Sequence, residues 1–300
     1  FTPPGQGKNS SNIVVINKAS QKSCQVKSEN SLCDPLYLAY KPPRLTSIST
    51  SQLETSGTTV NFVGSNLGTS GVVYLNDVAL ATSSVRWGND HSSLEVDFPP
   101  GEGPAHNFRI EVSTQHDSTC NTLCKIGYIP PSFAVVFPNN GPTEAKNMIK
   151  LTGRNFGLKS LDHKYSGIYN YTGPTITIGG RNCIVSSFTH IEINCIVPEG
   201  YGINKKIIVY VQGQDSISSS TLTYEYNKPV LLSISPNNSP TSGLIERYGS
   251  RVNVTATGKN FGSLEAKNVF RLLFTSRDSS LAKGDTFIVD ASYIIELSHT

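Results

Sequence analysis

Charge is scarce in this 300-residue chain: Asp, Glu, Lys and Arg together make up 16% of it, against roughly 25% in an ordinary soluble protein. Ser, Thr and Asn supply the polar character instead. A helical protein would carry more Glu, Lys and Arg on its surface, and no stretch here sustains an apolar period of 3.6. Leu264 to Phe274 comes nearest, and its adjacent Val269 and Phe270 argue against a helix even there. A basic patch is also missing. The 25 basic and 22 acidic residues leave a net charge of +3, and the densest basic cluster is Lys205-Lys206. A nucleic-acid binder draws most of its affinity from neutralising phosphates and needs such a patch or stripe. No apolar run reaches the roughly 20 residues of a membrane span. The start, Phe1-Thr2-Pro3-Pro4, has neither the charged nor the apolar region of a signal peptide.

Catalytic and metal motifs are equally thin. Of the six histidines, no two stand four apart and no HExxH occurs, so no local zinc motif is present. His116-Asp117-Ser118 holds triad residue types side by side. Neighbours on a strand point to opposite faces, so the triplet cannot form a triad, and it reads as a hairpin turn. Gly68-Thr69-Ser70-Gly71 lacks the Gly-x-Ser-x-Gly spacing of a nucleophile elbow. The carboxylates Asp90 and Glu95 could meet others in three dimensions, but nothing in the sequence motivates it. The residue pattern implies no enzyme, no cofactor and no metal.

What the chain does have is repetition. A Gly-x-Asn-x-Gly mark occurs at Gly64–Gly68, Gly153–Gly157 and Gly258–Gly262. Gly and Asn tolerate positive φ, so the mark reads as a tight turn. A proline-led Gly-x-Gly occurs at Pro4-Gly5-Gln6-Gly7, Pro100-Gly101-Glu102-Gly103 and Pro198-Glu199-Gly200-Tyr201-Gly202. Proline boundaries stand at Pro42-Pro43, Pro130-Pro131 and Pro229, and Pro138-Asn139-Asn140-Gly141-Pro142-Thr143 is echoed by Pro236-Asn237-Asn238-Ser239-Pro240-Thr241. The marks recur 88 (Pro42 to Pro130) to 105 (Gly153 to Gly258) residues apart, the size of one immunoglobulin-like sandwich.

Between the marks the apolar residues alternate as in half-buried strands. Val60 and Phe62 precede the first Gly-x-Asn-x-Gly, Ile149 and Leu151 the second, Val254 and Ala256 the third. Phe108, Ile110 and Val112 follow one Gly-x-Gly; Ile207, Val209 and Val211 follow another; Ile13 and Val15 follow the first. The order of marks predicts complete repeats at 42–129 and 130–228, the rear part of a repeat at 1–41 and the front part of one at 229–300. The expected fold is all-β: tandem sandwiches with almost no linker, forming a stiff rod.

Six cysteines form three close sequential pairs, Cys24 with Cys33, Cys120 with Cys124, and Cys183 with Cys195, as local disulfides would. The first two pairs precede the Tyr40 and Tyr128 ends of repeats. Cys183 and Cys195 flank a central hairpin, and Cys195 alternates with Ile191 and Ile193, so it is expected to point inward. Four Asn-x-Ser/Thr sequons, at Asn9, Asn170, Asn237 and Asn253, agree with an oxidising, extracellular setting. Val252 and Val254 flank Asn253, which would turn it to solvent in a strand.

Gly-x-Asn-Phe-Gly after a strand, the Pro-Asn-Asn-Gly-Pro-Thr entry, and Cys-Ile-Val followed by Cys-Ile-Val-Pro resemble the IPT/TIG repeat, an immunoglobulin-like sandwich of the E-set type. The resemblance covers the whole chain and is strongest at 130–228. In 42–129, Ser49-Thr50-Ser51 replaces the Pro-Asn-Asn entry and the middle cysteines are absent. Such repeats occur in plexin-like receptors, Rel-type transcription factors, bacterial sugar-acting enzymes and the Tiger proteins of social amoebae. The composition and sequons look most like the Tiger proteins. That resemblance implies a cell-surface adhesion and allorecognition ectodomain, binding a related ectodomain on an opposing cell, with a membrane anchor outside this stretch. The alternative is a glycan-binding or scaffolding segment of a larger extracellular protein. Candidate contact residues are Trp87, the sole tryptophan, and the insertion between Gly157 and Thr175 with His163, Lys164, Tyr165, Tyr169 and Tyr171. Tyrosine offers contact area at low entropic cost. A packed Trp87 and a glycan-shielded loop are the plainer readings of the same residues.

Overall fold

A computed structural model describes residues 5–6, 11–13, 36–117, 120, 123–158, 173–218, 222–240, 252–262, 271–275 and 286–289. These residues form strands and turns; one short 3-10 turn, Thr82–Ser84, is the helical element among them. The chain divides into two compact units. The first comprises Phe1–Pro130, Gly157–Gly173 and Val211–Gln214; the second comprises Pro131–Phe156, Pro174–Tyr210 and Asp215–Thr300.

In the first unit, β1 (Ser11–Ile13) pairs antiparallel with β2 (Leu36–Leu38). A sandwich follows, built from β3 (Arg44–Ile48), β4 (Gln52–Leu53), β5 (Thr58–Ser65), β6 (Val72–Leu75), β7 (Val78–Ala79), β8 (Val85–Trp87), β9 (Ser93–Phe98), β10 (His106–Val112), β11 (Gln115–His116) and β12 (Lys125–Tyr128). One sheet runs β3-β5-β9-β8 and the other β4-β12-β10-β6-β7, with β11 hairpinned onto β10. Strict alternation sends Val60, Phe62, Leu94 and Val96 from the first sheet and Val73, Leu75, Phe108 and Ile110 from the second into one core. Phe62, Phe98 and Phe108 meet there with centroids 5.0 to 6.1 Å apart.

After Pro130 the strands are β13 (Ser132–Phe137), β14 (Asn140–Gly141), β15 (Met148–Arg154), β16 (Thr175–Ile178), β17 (Arg181–Phe188), β18 (Glu192–Ile196), β19 (Lys205–Val211), β20 (Gln214–Asp215), β21 (Ile217–Ser218) and β22 (Thr223–Tyr226), in the second unit except for Val211 and Gln214. β23 (Val230–Ser235) pairs with β24 (Thr255–Lys259), and β25 (Leu272–Thr275) with β26 (Thr286–Val289). Leu272–Thr275, at the end of the segment nearest to a helical pattern, is thus a strand. β17 is shared: Arg181 to Cys183 pair with β16, then Ile184 to Phe188 pair with β18. Both halves are immunoglobulin-like β-sandwich sheets.

The Gly-x-Asn-x-Gly mark does three separate jobs. Its Asn is left-handed, at φ 58 for Asn66, 61 for Asn155 and 60 for Asn260, and its last glycine also has positive φ. The residue between them is a core plug: Leu67 and Phe156 are fully buried and Phe261 nearly so. Its first glycine is not a turn residue. A Cβ on Gly64, Gly153 or Gly258 would stand 2.2, 2.0 or 2.0 Å from the carbonyl oxygen of Arg44, Ser132 or Val230. That glycine lets the strand lie against a β-bulge in its neighbour, which falls at Leu45/Ser47, Phe133/Val135 and Leu231/Ser233. The Gly-x-Gly mark has a second physical cause. Gly5, Gly101 and Gly200 each lie under a tyrosine ring, that of Tyr40, Tyr128 and Tyr226 respectively. The Tyr128 and Tyr226 hydroxyls donate to the carbonyls of Pro99 and Pro198, both at 2.8 Å. Burial pushes the Tyr128 phenol well above its ordinary range and Tyr226 up to about 12, so both donate at any physiological pH.

Several expectations change in detail. The β10–β11 turn is Ser113-Thr114, both at positive φ, and His116 lies in β11 rather than in the turn. β24 starts at Thr255, so strand alternation does not orient Asn253, and Val254 is itself 45% exposed. Ile191 lies just before β18 and faces solvent, whereas Ile193 and Cys195 are buried.

Candidate recognition surface

Among the described residues no three His, Cys, Asp or Glu side chains gather where they could hold a metal, and the carboxylates of Asp90, Glu95 and Asp97 are engaged in a turn and in surface pairs. Asp90 caps its own turn: Ser92 donates to it from both hydroxyl and amide, and these bonds lower its carboxyl to about 2. Arg86 on β8 donates to Asp97 at 2.6 and 2.7 Å and also bonds Glu95. Thr59 adds a bond to Asp97 at 2.7 Å. The Arg86 bonds first, and then Thr59, hold the Asp97 carboxyl well below the usual carboxylate range. Thr59, Arg86, Glu95 and Asp97 thus form a polar ladder with matched charges on the outward face of β3-β5-β9-β8.

The corresponding sheet β13-β15-β18-β17 carries the opposite chemistry at the same positions. Aligning Gly64 with Gly153, and Phe62 facing Leu94 with Leu151 facing Ile193, sets Thr59 against Met148 and Asp97 against Ile196. Met148 pairs directly with Ile196, and Ile196 with Ile184. Phe137, opposite Lys150, stands one step from Met148 on the next strand. Phe137 is 73% exposed, Ile184 67% and Met148 51%, with Ile196 half-buried between them. This apolar row crosses four strands, about 14 Å at ordinary strand spacing. The Lys150–Glu192 ion pair and the Asn194–Ser187 hydrogen bond border it. A contiguous apolar strip with a polar rim on a sheet face is the composition of a protein contact surface.

Other predicted residues are distributed differently. Trp87 lies on edge strand β8, partly buried against the core, with its ring in the space that a side chain at Gly71 would need. His163, Lys164, Tyr165, Tyr169 and Tyr171 lie outside the described residues, as do Asn9, Asn170, Cys24 and Cys33. Asn237 and Asn253 are exposed. Cys120 and Cys124 form one disulfide, beside the β12 strand that ends at Tyr128. Cys183 and Cys195 form another, with both residues buried, where β17 passes from one sheet to the other. Register sets Leu80 where the next sandwich has Cys183, and Val96 where it has Cys195. The 42–129 sandwich thus fills with two apolar side chains the place that its neighbour staples.

The apolar row escaped sequence reasoning, although it left a trace. Met148-Ile149, Ile184-Val185 and Cys195-Ile196-Val197 place apolar residues at both parities of a strand, where simple alternation allows one.

Residues 131–226 match the IPT/TIG domain. Plexin-2 of Caenorhabditis elegans is 24% identical over 254 residues, 82% of this chain and 13% of that protein. In fold, the extracellular region of Plexin A4 is similar over 81% of this chain and 20% of that one, at 17% identity and a TM-score of 0.30. A surface glycan-binding protein of Prevotella bryantii, PbSGBP-B, is similar over 59% of this chain and 41% of that one, at 18% identity and a TM-score of 0.34. The chain spans a small fraction of the length of the plexins that it resembles.

Proposed function

We propose that this chain is part of a non-catalytic cell-surface recognition ectodomain that binds a protein partner on a neighbouring cell. The observation that carries the reading is the apolar row Phe137, Met148, Ile196 and Ile184, held outward on a sheet whose counterpart in the preceding sandwich has Thr59 and Asp97 in place of Met148 and Ile196. An exposed apolar strip with a polar rim suits an opposing protein surface. Four side chains form a small contact, which suits weak contacts multiplied across two apposed membranes. The similarity to Plexin-2 supports a receptor-type, extracellular setting, as does the disulfide Cys183–Cys195. The finer reading is allorecognition by a related ectodomain, heterophilic in kind, by repeats at 42–129 and 130–228 with partial repeats at 1–41 and 229–300. The sequons Asn9, Asn170, Asn237 and Asn253 carry N-linked glycans in this reading, and the tyrosine-bearing 157–175 insertion adds to the contact.

The test is binding of the glycosylated chain to related ectodomains from matched and unmatched cells, with Phe137→Asp and Met148→Lys as variants. Preference for the matched partner, weakened at least about tenfold by either substitution, is expected. Binding that survives both substitutions would remove the row from the contact. Retention on a glycan array with no protein partner would replace the reading with a carbohydrate-binding one.

A further inference from the structure

Two sets of hydrogen bonds in the first unit connect residues far apart in sequence and are copies of one another. In the first, the Thr69 amide donates to the Gln6 side-chain oxygen at 3.0 Å, and Gln115 Nε2 donates to the Tyr40 carbonyl at 3.3 Å. In the second, the Leu158 amide donates to Glu102 Oε1 at 2.5 Å, and Gln214 Nε2 donates to the Tyr128 carbonyl at 2.8 Å. All eight residues belong to that one unit.

The four positions correspond mark for mark. Gln6 and Glu102 are the middle residues of Gly5-Gln6-Gly7 and Gly101-Glu102-Gly103. Thr69 and Leu158 are the residues directly after Gly68 and Gly157, the last glycines of two Gly-x-Asn-x-Gly marks. Gln115 and Gln214 each follow a two-residue turn of positive φ, Ser113-Thr114 and Gln212-Gly213. Tyr40 and Tyr128 are the tyrosines that cover Gly5 and Gly101. Glu102 is buried, at 5% exposure. Gln6 also donates to the Ser70 carbonyl and hydroxyl at 3.1 and 3.0 Å.

From this recurrence we infer that the Gly-x-Gly loop and its tyrosine carbonyl form a two-point acceptor clasp, built twice within the first unit, that holds the chain just after a left-handed Asn-x-Gly turn. The middle residue is the docking residue. The chemistry that it must supply is one oxygen acceptor at the end of a four-atom side chain, which an amide (Gln6) and a carboxylate (Glu102) provide equally. The donors are a backbone amide released by the left-handed Asn-x-Gly turn and one glutamine side chain. Tyr201, at the middle of Gly200-Tyr201-Gly202, has no such oxygen, and its ring lies 5.4 Å from Lys205 Nζ instead. This loop is therefore not an acceptor of the same kind.

The inference stands apart from the partner-binding reading and is tested on the whole chain by amide hydrogen exchange resolved at Thr69 and Leu158. Gln6→Leu should speed exchange at Thr69 by about tenfold, while Gln6→Glu should leave it within about twofold. Gln115→Leu should act on Thr69 in the same direction as Gln6→Leu. Because Glu102 is buried, Glu102→Leu is paired with Glu102→Gln, which should retain the protection of Leu158. Protection at Val60 and Phe62, in the core strand β5, should stay unchanged in the Gln6 variants. Unaltered exchange at Thr69 in Gln6→Leu, or equal loss in Gln6→Glu, would overturn the inference.

Discussion

Gly101→Ala is the sharpest probe of the repeat's internal design. Gly101 has ordinary negative φ, so an alanine there carries no backbone penalty of its own. The cost is contact: the new Cβ would lie 2.3 Å from Tyr128 Cζ and 2.4 Å from its hydroxyl oxygen. Tyr128 is 1% exposed and cannot swing into solvent. Relief requires the ring to shift within a packed core, about 1–3 kcal/mol for overpacking. The shift also stretches the Tyr128–Pro99 bond of 2.8 Å, worth about 0.5–1.5 kcal/mol. The sum is about 1.5–4.5 kcal/mol. Trp87 is the one tryptophan of the chain and packs against the same core cluster as Tyr128, so its fluorescence reports the unfolding of this sandwich without interference. With a urea m-value of about 2 kcal/mol/M, the midpoint should fall by about 1–2 M. Tyr128→Phe removes only the hydrogen bond and should cost about 1 kcal/mol, near 0.5 M on the same scale. A fall below about 0.3 M for Gly101→Ala would show that the ring moves freely and that the glycine is not required by the close approach.

Two further outcomes rest on the same sandwich. Leu80→Cys with Val96→Cys should form a disulfide spontaneously in air, read as loss of two free thiols, and should stabilise the Trp87-reported sandwich by up to about 3 kcal/mol for a loop of this length. Two persisting thiols would refute the register that equates these positions with Cys183 and Cys195. The second outcome concerns His106. It is buried, with Nε2 2.7 Å from the Glu102 carbonyl and Nδ1 2.7 Å from Asn76 Nδ2. Nε2 is then the protonated nitrogen and Nδ1 the acceptor. Tyr128 meets the ring edge-on and stays protonated. Burial lowers the His106 pKa from its ordinary 6.5. The unfolded chain thus takes up this proton before the folded one, so the contribution is complete above about pH 6.5 and is lost as pH falls through the folded pKa. The Trp87-monitored midpoint should decline over that window, and His106→Gln should flatten the decline; an unchanged slope in the variant would reject the assignment.

Strand positions and the recurrence of the marks were legible in the residues, because both rest on local chemistry. Alternation at Val60-Phe62, Phe108-Ile110-Val112 and Ile207-Val209-Val211 depends on the two-residue period of a strand and on nothing further away. The left-handed turn at Asn66, Asn155 and Asn260 likewise depends on the residue's own sterics. The pairing of Cys183 with Cys195, 12 residues apart, needed only proximity in sequence. Asn253 is exposed as expected, but not through strand alternation: β24 begins only at Thr255, a start set by its partner β23 and not by the flanking valines.

Tertiary structure decided everything that one strand does to another. Gly64 looked like a turn glycine until the Arg44 carbonyl was found pressed against it. The glycines before Gln6 and Glu102 acquired a reason only when a tyrosine from the far end of the repeat covered them. The equivalence of Leu80 and Val96 with a disulfide, and the line from Ile184 through Ile196 to Met148, exist only in the register of paired strands. A side chain's parity is written in its own strand, but its neighbours are chosen by backbone hydrogen bonds to segments tens of residues away. The free energy that fixes that register belongs to the assembled core rather than to any one segment.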